Sequence, residues 1–244
     1  MRVLILAMIV LLFSRCNKPD APDCFQAKGS TVTEPLELEE PFHSITIYDN
    51  IKLVLTNDTT LNEFYEITGA ENLIPDLKFT ISDGELTIEN NNSCNWVRSY
   101  NDFTLYMNKH DVTHVFNYGT EGVEITYSSS VLVLEQQNSL ADNSIKFSGD
   151  SLTVNMHTGS GFTSVTGNAE YGQFYCNGFT SVITDGFEVE NILANNSGAG
   201  SMFVTPTATL FAYIGGSGNI IYTGNLVELD TEIVGSGEVL FSDN

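Results

Sequence analysis

From Phe42 onward apolar residues fall on alternate positions. Ile45 and Ile47, then Ile51, Leu53 and Leu55, are separated by polar residues, which is the period of a strand with one buried face. Leu77, Phe79 and Ile81 repeat the pattern, as do Leu86 and Ile88, on either side of Ser82-Asp83-Gly84. Asp-Gly between two alternating runs predicts a hairpin. Phe103, Leu105 and Met107 predict a further strand, and Val131 with Val133 another. No segment carries a convincing helical period. Residues 72–77 suit one short turn, because Pro75 limits its length.

The second half repeats itself. Gly159-Ser160-Gly161-Phe162-Thr163-Ser164-Val165 is echoed by Asn177-Gly178-Phe179-Thr180-Ser181-Val182, and then by strings around Gly198-Ala199-Gly200, Gly216-Ser217-Gly218 and Gly235-Ser236-Gly237. Glycines 161, 178, 200, 218 and 237 lie 17, 22, 18 and 19 residues apart. A short strand after a glycine corner, recurring about every 20 residues, cannot bury its apolar face alone. Stacking the repeats in sequence solves this. The predicted fold is all-β, a single parallel β-solenoid with glycine at positive φ in the corners. Phe162, Phe179, Phe203, Ile221 and Phe241 recur near one rung position and are expected to stack in the core.

The chain of 244 residues is 42% hydrophobic and only 16% charged, with a net charge of −22. No Lys or Arg follows Lys146. Nucleic acid and bare anionic membrane surfaces are thereby excluded as partners, since both reward basic residues. The acidity reads first as solubility, and secondarily as affinity for divalent cations or a basic partner.

Residues 1–15 read as a signal peptide: Arg2 precedes an apolar run from Val3 to Phe13, too short to span a bilayer. Phe13-Ser14-Arg15-Cys16 resembles a bacterial lipobox, although Arg15 departs from the small residue usual before the cysteine. Cys16 is the expected lipidation site, anchoring the chain to the lipid bilayer of the outer membrane. Removal of residues 1–15 would leave a charge near −24. Residues 16–40 read as the lipidated cysteine and an extended tether, and 41–244 as the solenoid. Cys24, Cys94 and Cys176 remain. An oxidising compartment permits one disulfide, and Cys24–Cys94 is the expected pair because it would staple tether to body. Cys176, in Phe-Tyr-Cys, suits a small apolar filler.

The run from Ile45 to Thr56, then Gly69-Ala70-Glu71-Asn72-Leu73-Ile74, Ser82-Asp83-Gly84-Glu85-Leu86-Thr87-Ile88 and the serial Gly-x-Gly corners resemble the head GIN domain family of autotransporter adhesins, common in lipoproteins of the Bacteroides group. The resemblance covers residues 41–244. It implies a β-helix-like fold, an envelope location and an adhesive role.

Catalytic chemistry finds little support. His110 and His114 are four apart, with Asp111 between them, but no Glu stands in the metalloprotease position, so they read as rim histidines. His157 reads as a corner residue. A polysaccharide lyase or hydrolase would need a base or two facing carboxylates. The candidates are Arg98, Lys109 and Lys146 for the first, and Asp185, Glu188 and Glu190 for the second. A solvated strand edge explains the acids more simply, and no cofactor motif is present. Tyr171, Tyr175, Tyr213 and Tyr222 form either an outward binding stripe or cross-rung packing, of which packing is preferred. Trp96, in a polar insert, is a candidate binding residue or a cap. The sequence therefore points to a non-enzymatic envelope lipoprotein displaying a binding surface for a glycan or a protein. A structural or stress-related module without a ligand is the alternative.

Overall fold

The structure, a computed structural model, describes residues 29–92, 103–138 and 140–243. Among these are eighteen strands and one short 3-10 turn, Ile74–Asp76, with Pro75 in its first turn. β1 (Thr31–Pro35) lies inside the segment read as tether but pairs antiparallel with β4 (Phe64–Ala70), so the paired body begins before residue 41. β2 (Ser44–Ile47) and β3 (Ile51–Thr56) bury Ile45, Ile47, Ile51, Leu53 and Leu55. β5 (Leu77–Ser82) and β6 (Glu85–Asn90) form the expected hairpin. Asp83 and Gly84 both have positive φ, 53° and 78°, the backbone that a two-residue turn needs to match strand twist. β7 (Phe103–Asn108) and β8 (His114–Asn117) follow.

β9 (Val123–Gln136), β10 (Asn143–Met156) and β11 (Phe162–Cys176) are long because each serves both walls of the solenoid. In β9 the buried residues are Val123, Ile125 and Tyr127, then Leu132, Leu134 and Gln136. The period of two slips by one residue between Tyr127 and Leu132, and the chain bends there so that both halves face one core. Later turns use separate strands: β12 (Ser181–Ile183), β13 (Phe187–Asn196), β14 (Met202–Val204), β15 (Pro206–Ile214), β16 (Ile220–Tyr222), β17 (Glu228–Ile233) and β18 (Val239–Phe241).

Two walls result. Wall A runs β1–β4–β7–β3–β9–β10–β11–β12–β14–β16–β18. Wall B runs β5–β6–β2–β8–β9–β10–β11–β13–β15–β17. All pairs are parallel except β1–β4, β4–β7 and β5–β6, which close the N-terminal end. The rung β2–β3 is sandwiched between two later ones, because β6 and β8 add to opposite sides of β2. From Val123 the chain winds in sequence through about six turns, and stacked inward residues such as Leu134, Val154, Phe174, Ala194 and Ala212 fill the core.

The register corrects the repeat alignment. Phe162 pairs with Ser181, not Phe179. The corners equivalent in space are Gly159-Ser-Gly161, Gly178-Phe-Thr180, Gly198-Ala-Gly200, Gly216-Ser-Gly218 and Gly235-Ser-Gly237. The second members lie 19, 20, 18 and 19 residues apart, so the apparent 17 and 22 came from matching two similar strings two residues out of step. The expected cause also changes. Gly218 is not among the positive-φ residues. Instead, a Cβ there would stand 2.0 Å from the carbonyl oxygen of Gly200 on the rung before. Most corner glycines are required by close backbone approach rather than by handedness.

The expected aromatic core column is likewise overturned. Phe162, Phe179 and Phe203 are exposed, with 72% of Phe179 open to solvent, and Ile221 is half-buried. They point outward or occupy a corner. Phe241 continues the inward column of Val204 and Tyr222 but is 53% exposed, because nothing described covers the last rung. Two buried asparagines pin corners from inside. Asn117 Oδ1 accepts from Gly119 N–H at 2.9 Å while its Nδ2 donates to Glu121 O at 2.8 Å. Asn196 repeats this with Gly198 N–H at 3.2 Å and Gly200 O at 2.8 Å. Buried amides so paired satisfy backbone groups that the turn would otherwise strand.

Candidate functional site

The outer side of wall B carries two adjacent columns, one residue per rung. The first reads Phe116, Glu135, Asn155, Tyr175, Asn195, Tyr213, Glu232. The second reads Val133, Thr153, Gln173, Leu193, Phe211, Asp230. Neighbouring strands are spaced at roughly 4.8 Å, so each column is a regular ladder along the solenoid axis. Amides and aromatics dominate its middle. Leu193 and Phe211 are exposed, while Tyr175, Asn195 and Tyr213 are half-buried with their edges in solvent.

Local contacts hold these side chains. Glu135 receives two donors: Asn155 Nδ2 on Oε1 at 2.7 Å, and His157 Nε2 on Oε2 at 2.6 Å. The His157 ring lies 5.4 Å from that of Tyr175. Ser197 donates to Asn195 Oδ1 at 2.9 Å. Asn155, His157, Gln173, Tyr175, Leu193 and Asn195 rim a shallow depression of about 260 Å³. Such a surface offers ring faces for stacking and amides for hydrogen bonds, held in fixed geometry.

The outer side of wall A differs. Ile183, Phe203, Ile221 and Leu240 form an apolar column beside Thr205 and Thr223, bordering an open groove of about 410 Å³.

The remaining sequence candidates separate. Cys16, Cys24, Cys94, Trp96 and Arg98 lie outside the described residues. Cys176 is buried in the wall B core, and burial pushes its thiol up to about 12. His110 stays near Asp58 O at 3.2 Å, whereas His114 bonds Thr113 Oγ1 at 3.0 Å and stacks on Phe116. Among the described residues no group of three His, Cys, Asp or Glu could hold a metal ion. Asp185, Glu188 and Glu190 are exposed, as is Lys146. Lys109 is buried beneath Glu63, at 3.0 Å, and Asp111, with its ammonium 5.5 Å from the Phe42 ring centre. Burial pulls its pKa down, but the two carboxylates outweigh that and leave it raised. The cluster is a structural pin. Of the tyrosine stripe, Tyr171, Tyr175 and Tyr213 face outward, against the preference for packing, and Tyr222 lies in the inward column. The contributions of Leu193, Phe211, Gln173 and Asn195 were not foreseen, because only the true register places them on the columns of Tyr175 and Tyr213.

Comparison with known proteins agrees with this architecture. Solved structures that share the fold include the following three. One, described as a "putative adhesin" from Bacteroides fragilis NCTC 9343, has a TM-score of 0.78 at 17% identity, covering 87% of this chain and 97% of that one. A "putative lipid binding protein" from Parabacteroides distasonis ATCC 8503 has a TM-score of 0.60 at 19% identity over 89% and 98%. A "putative adhesin" from Parabacteroides merdae ATCC 43184 has a TM-score of 0.56 at 20% identity over 89% and 98%. No curated protein sequence matches. The family model described as "Putative auto-transporter adhesin, head GIN domain" matches residues 41–225. On that match, spanning most of the β-solenoid, the chain belongs to the head GIN domain family.

Proposed function

We propose that this chain is an exported, lipid-anchored envelope protein that binds a glycan or protein surface through the outer side of wall B. The observation that carries it is the paired ladder Asn155–Tyr175–Asn195–Tyr213 and Gln173–Leu193–Phe211. A scaffold without a ligand would more simply present Thr, Ser and Asn there. The adhesin names of the similar structures support the same reading. The ladder is shallow, so the ligand is extended and bridges several rungs rather than filling a pocket. A surface free of Lys and Arg beyond Lys146 favours neutral or basic ligands over polyanions.

The test is solid-phase binding of the purified protein to immobilised neutral glycans and matrix proteins. Y175A/Y213A should lose at least about tenfold in affinity, as stacked aromatic anchors do, while F203A/I221A on wall A should not. A second reading draws on the lipid-binding name of one similar structure and on the wall A groove. There an apolar chain would lie along Ile183, Phe203 and Ile221, and the two variants would exchange roles. Anchoring is tested separately: Cys16→Ala should move the protein out of the membrane fraction, and retention there would require another anchor.

A further inference from the structure

The wall B ladder has a period as well as a chemistry. In its first column amide and aromatic alternate, one per rung: Asn155, Tyr175, Asn195, Tyr213. The two tyrosines therefore stand two rungs apart, about 9.6 Å at the usual strand spacing. Neighbours hold both rings. That of Tyr175 lies 5.4 Å from His157. That of Tyr213 lies over Gly215, where a Cβ would stand 2.9 Å from its Cε1. Asn195 lies between them in register, its Oδ1 accepting from Ser197 at 2.9 Å.

Spacing and hydrogen bonding narrow what fits along this column. A fully extended strand presents the same face every two residues, about 6.7 Å, and falls out of step after one tyrosine. A polyproline II helix presents one face every three residues, about 9.3 Å per turn, and meets both rings. That helix has no internal hydrogen bonds, and its prolines carry no N–H, so at those positions it asks the partner for donors alone. Wall B supplies them in exposed Gln173 and in the Nδ2 of Asn195. A glycan would instead bring a hydroxyl proton to most contacts. The one carboxylate on these rungs, Glu135, already accepts from Asn155 and His157. Charge adds a direction. Tyr213 adjoins Glu232 and Phe211 adjoins Asp230, and both acids are exposed.

We propose that the wall B ladder binds a proline-rich segment of another protein in the polyproline II conformation. Prolines three residues apart would lie on Tyr175 and Tyr213, and a Lys or Arg beyond them would sit beside Asp230 and Glu232, as aromatic-lined grooves take such helices elsewhere. The proposal rests on wall B being the contact surface and names the ligand class of that surface.

The probe is a ten-residue peptide blocked at both termini, Arg-Pro-Pro-Ala-Pro-Pro-Ala-Pro-Pro-Arg. One control replaces every Pro by Ala, and another replaces both Arg by Glu. Neutral hexasaccharides and a proline-poor matrix protein complete the panel. Affinity for the full chain is read by fluorescence anisotropy or, for unlabelled ligands, by competition and calorimetry. The proline peptide should bind at least about tenfold more tightly than the alanine peptide, because its bound conformation is preformed. Y175A/Y213A should weaken it at least about tenfold, and D230N/E232Q about threefold. The alanine comparison uses the native chain and needs no variant to fold. Equal binding of proline and alanine peptides, or full binding by Y175A/Y213A, would overturn the proposal. If the proline peptide fails while a hexasaccharide or the matrix protein binds through Tyr175 and Tyr213, the ligand class is wrong and wall B remains the contact surface. If no ligand depends on those tyrosines, both readings fall.

Discussion

Single residues decide where the chain can turn and where it cannot tolerate substitution. Gly218 sits 2.0 Å, measured from where a Cβ would be, from the Gly200 carbonyl. Gly218→Val should therefore lower the melting temperature by several degrees or prevent folding, because backbone must move to admit the side chain. An unchanged melting temperature would remove the close approach as the reason for the glycine. Tyr127 shows the opposite constraint, a polar group buried for its bonds. Its hydroxyl donates to Lys109 O at 2.9 Å and accepts from Val112 N–H at 2.6 Å. Burial pushes its pKa up to about 12. A pKa raised on folding means that the native state holds the proton more tightly. The associated stability is whole below about pH 10, the ordinary tyrosine value, and is lost as pH climbs through about 12. Spectrophotometric titration should find one phenol ionising far above the exposed ones, and Tyr127→Phe should abolish that step. Because Tyr127→Phe strands the Val112 N–H, it should also cost about 1–3 kcal/mol by denaturant melt.

At the scale of elements, strands were legible in the sequence because one buried face leaves a period of two. Ile45 to Leu55 and the Asp83-Gly84 hairpin needed nothing more. The register was not legible. Gly161-Phe162-Thr163-Ser164 and Gly178-Phe179-Thr180-Ser181 look alike, yet the ladder pairs Phe162 with Ser181. The signal that survives is the Gly-x-Gly corner itself, once Thr180 is allowed in its second place, where its hydroxyl donates to Asn177 O at 2.8 Å. A shift of two residues preserves in and out along a strand but not at a corner, so Phe179 moved from expected core to exposed tip. Non-sequential stacking of β2 between β6 and β8 leaves no local trace either, since it is decided by which edges remain open after the β4–β5 excursion. Corner stability can be tested by Asn196→Ala, which removes the bonds to Gly198 N–H and Gly200 O. The expected loss is about 1–3 kcal/mol by denaturant melt. A loss below about 0.5 kcal/mol would mean that the backbone ladder alone sets the turn.

For the whole molecule, a parallel solenoid converts one side chain per turn into a ladder, and that conversion turns a polar, charge-poor sequence into a candidate binding surface. Wall B presents amides and aromatics, and wall A an apolar strip. Composition argued against nucleic acid, but it could not tell an outward tyrosine from an inward one, because Tyr175 and Tyr222 stand in similar strings. The central claim, that wall B is the contact surface of an outward-facing envelope protein, is tested most directly by adherence of intact cells to the immobilised ligand surface identified by solid-phase binding. Cells carrying the native chain are compared with cells carrying Y175A/Y213A and with native cells shaved by protease. Shaving should cleave the chain and abolish this adherence, and the double variant, displayed at the same level, should lose most of it. Full adherence by the double variant, or a chain that shaving cannot reach until the outer membrane is broken, would contradict it.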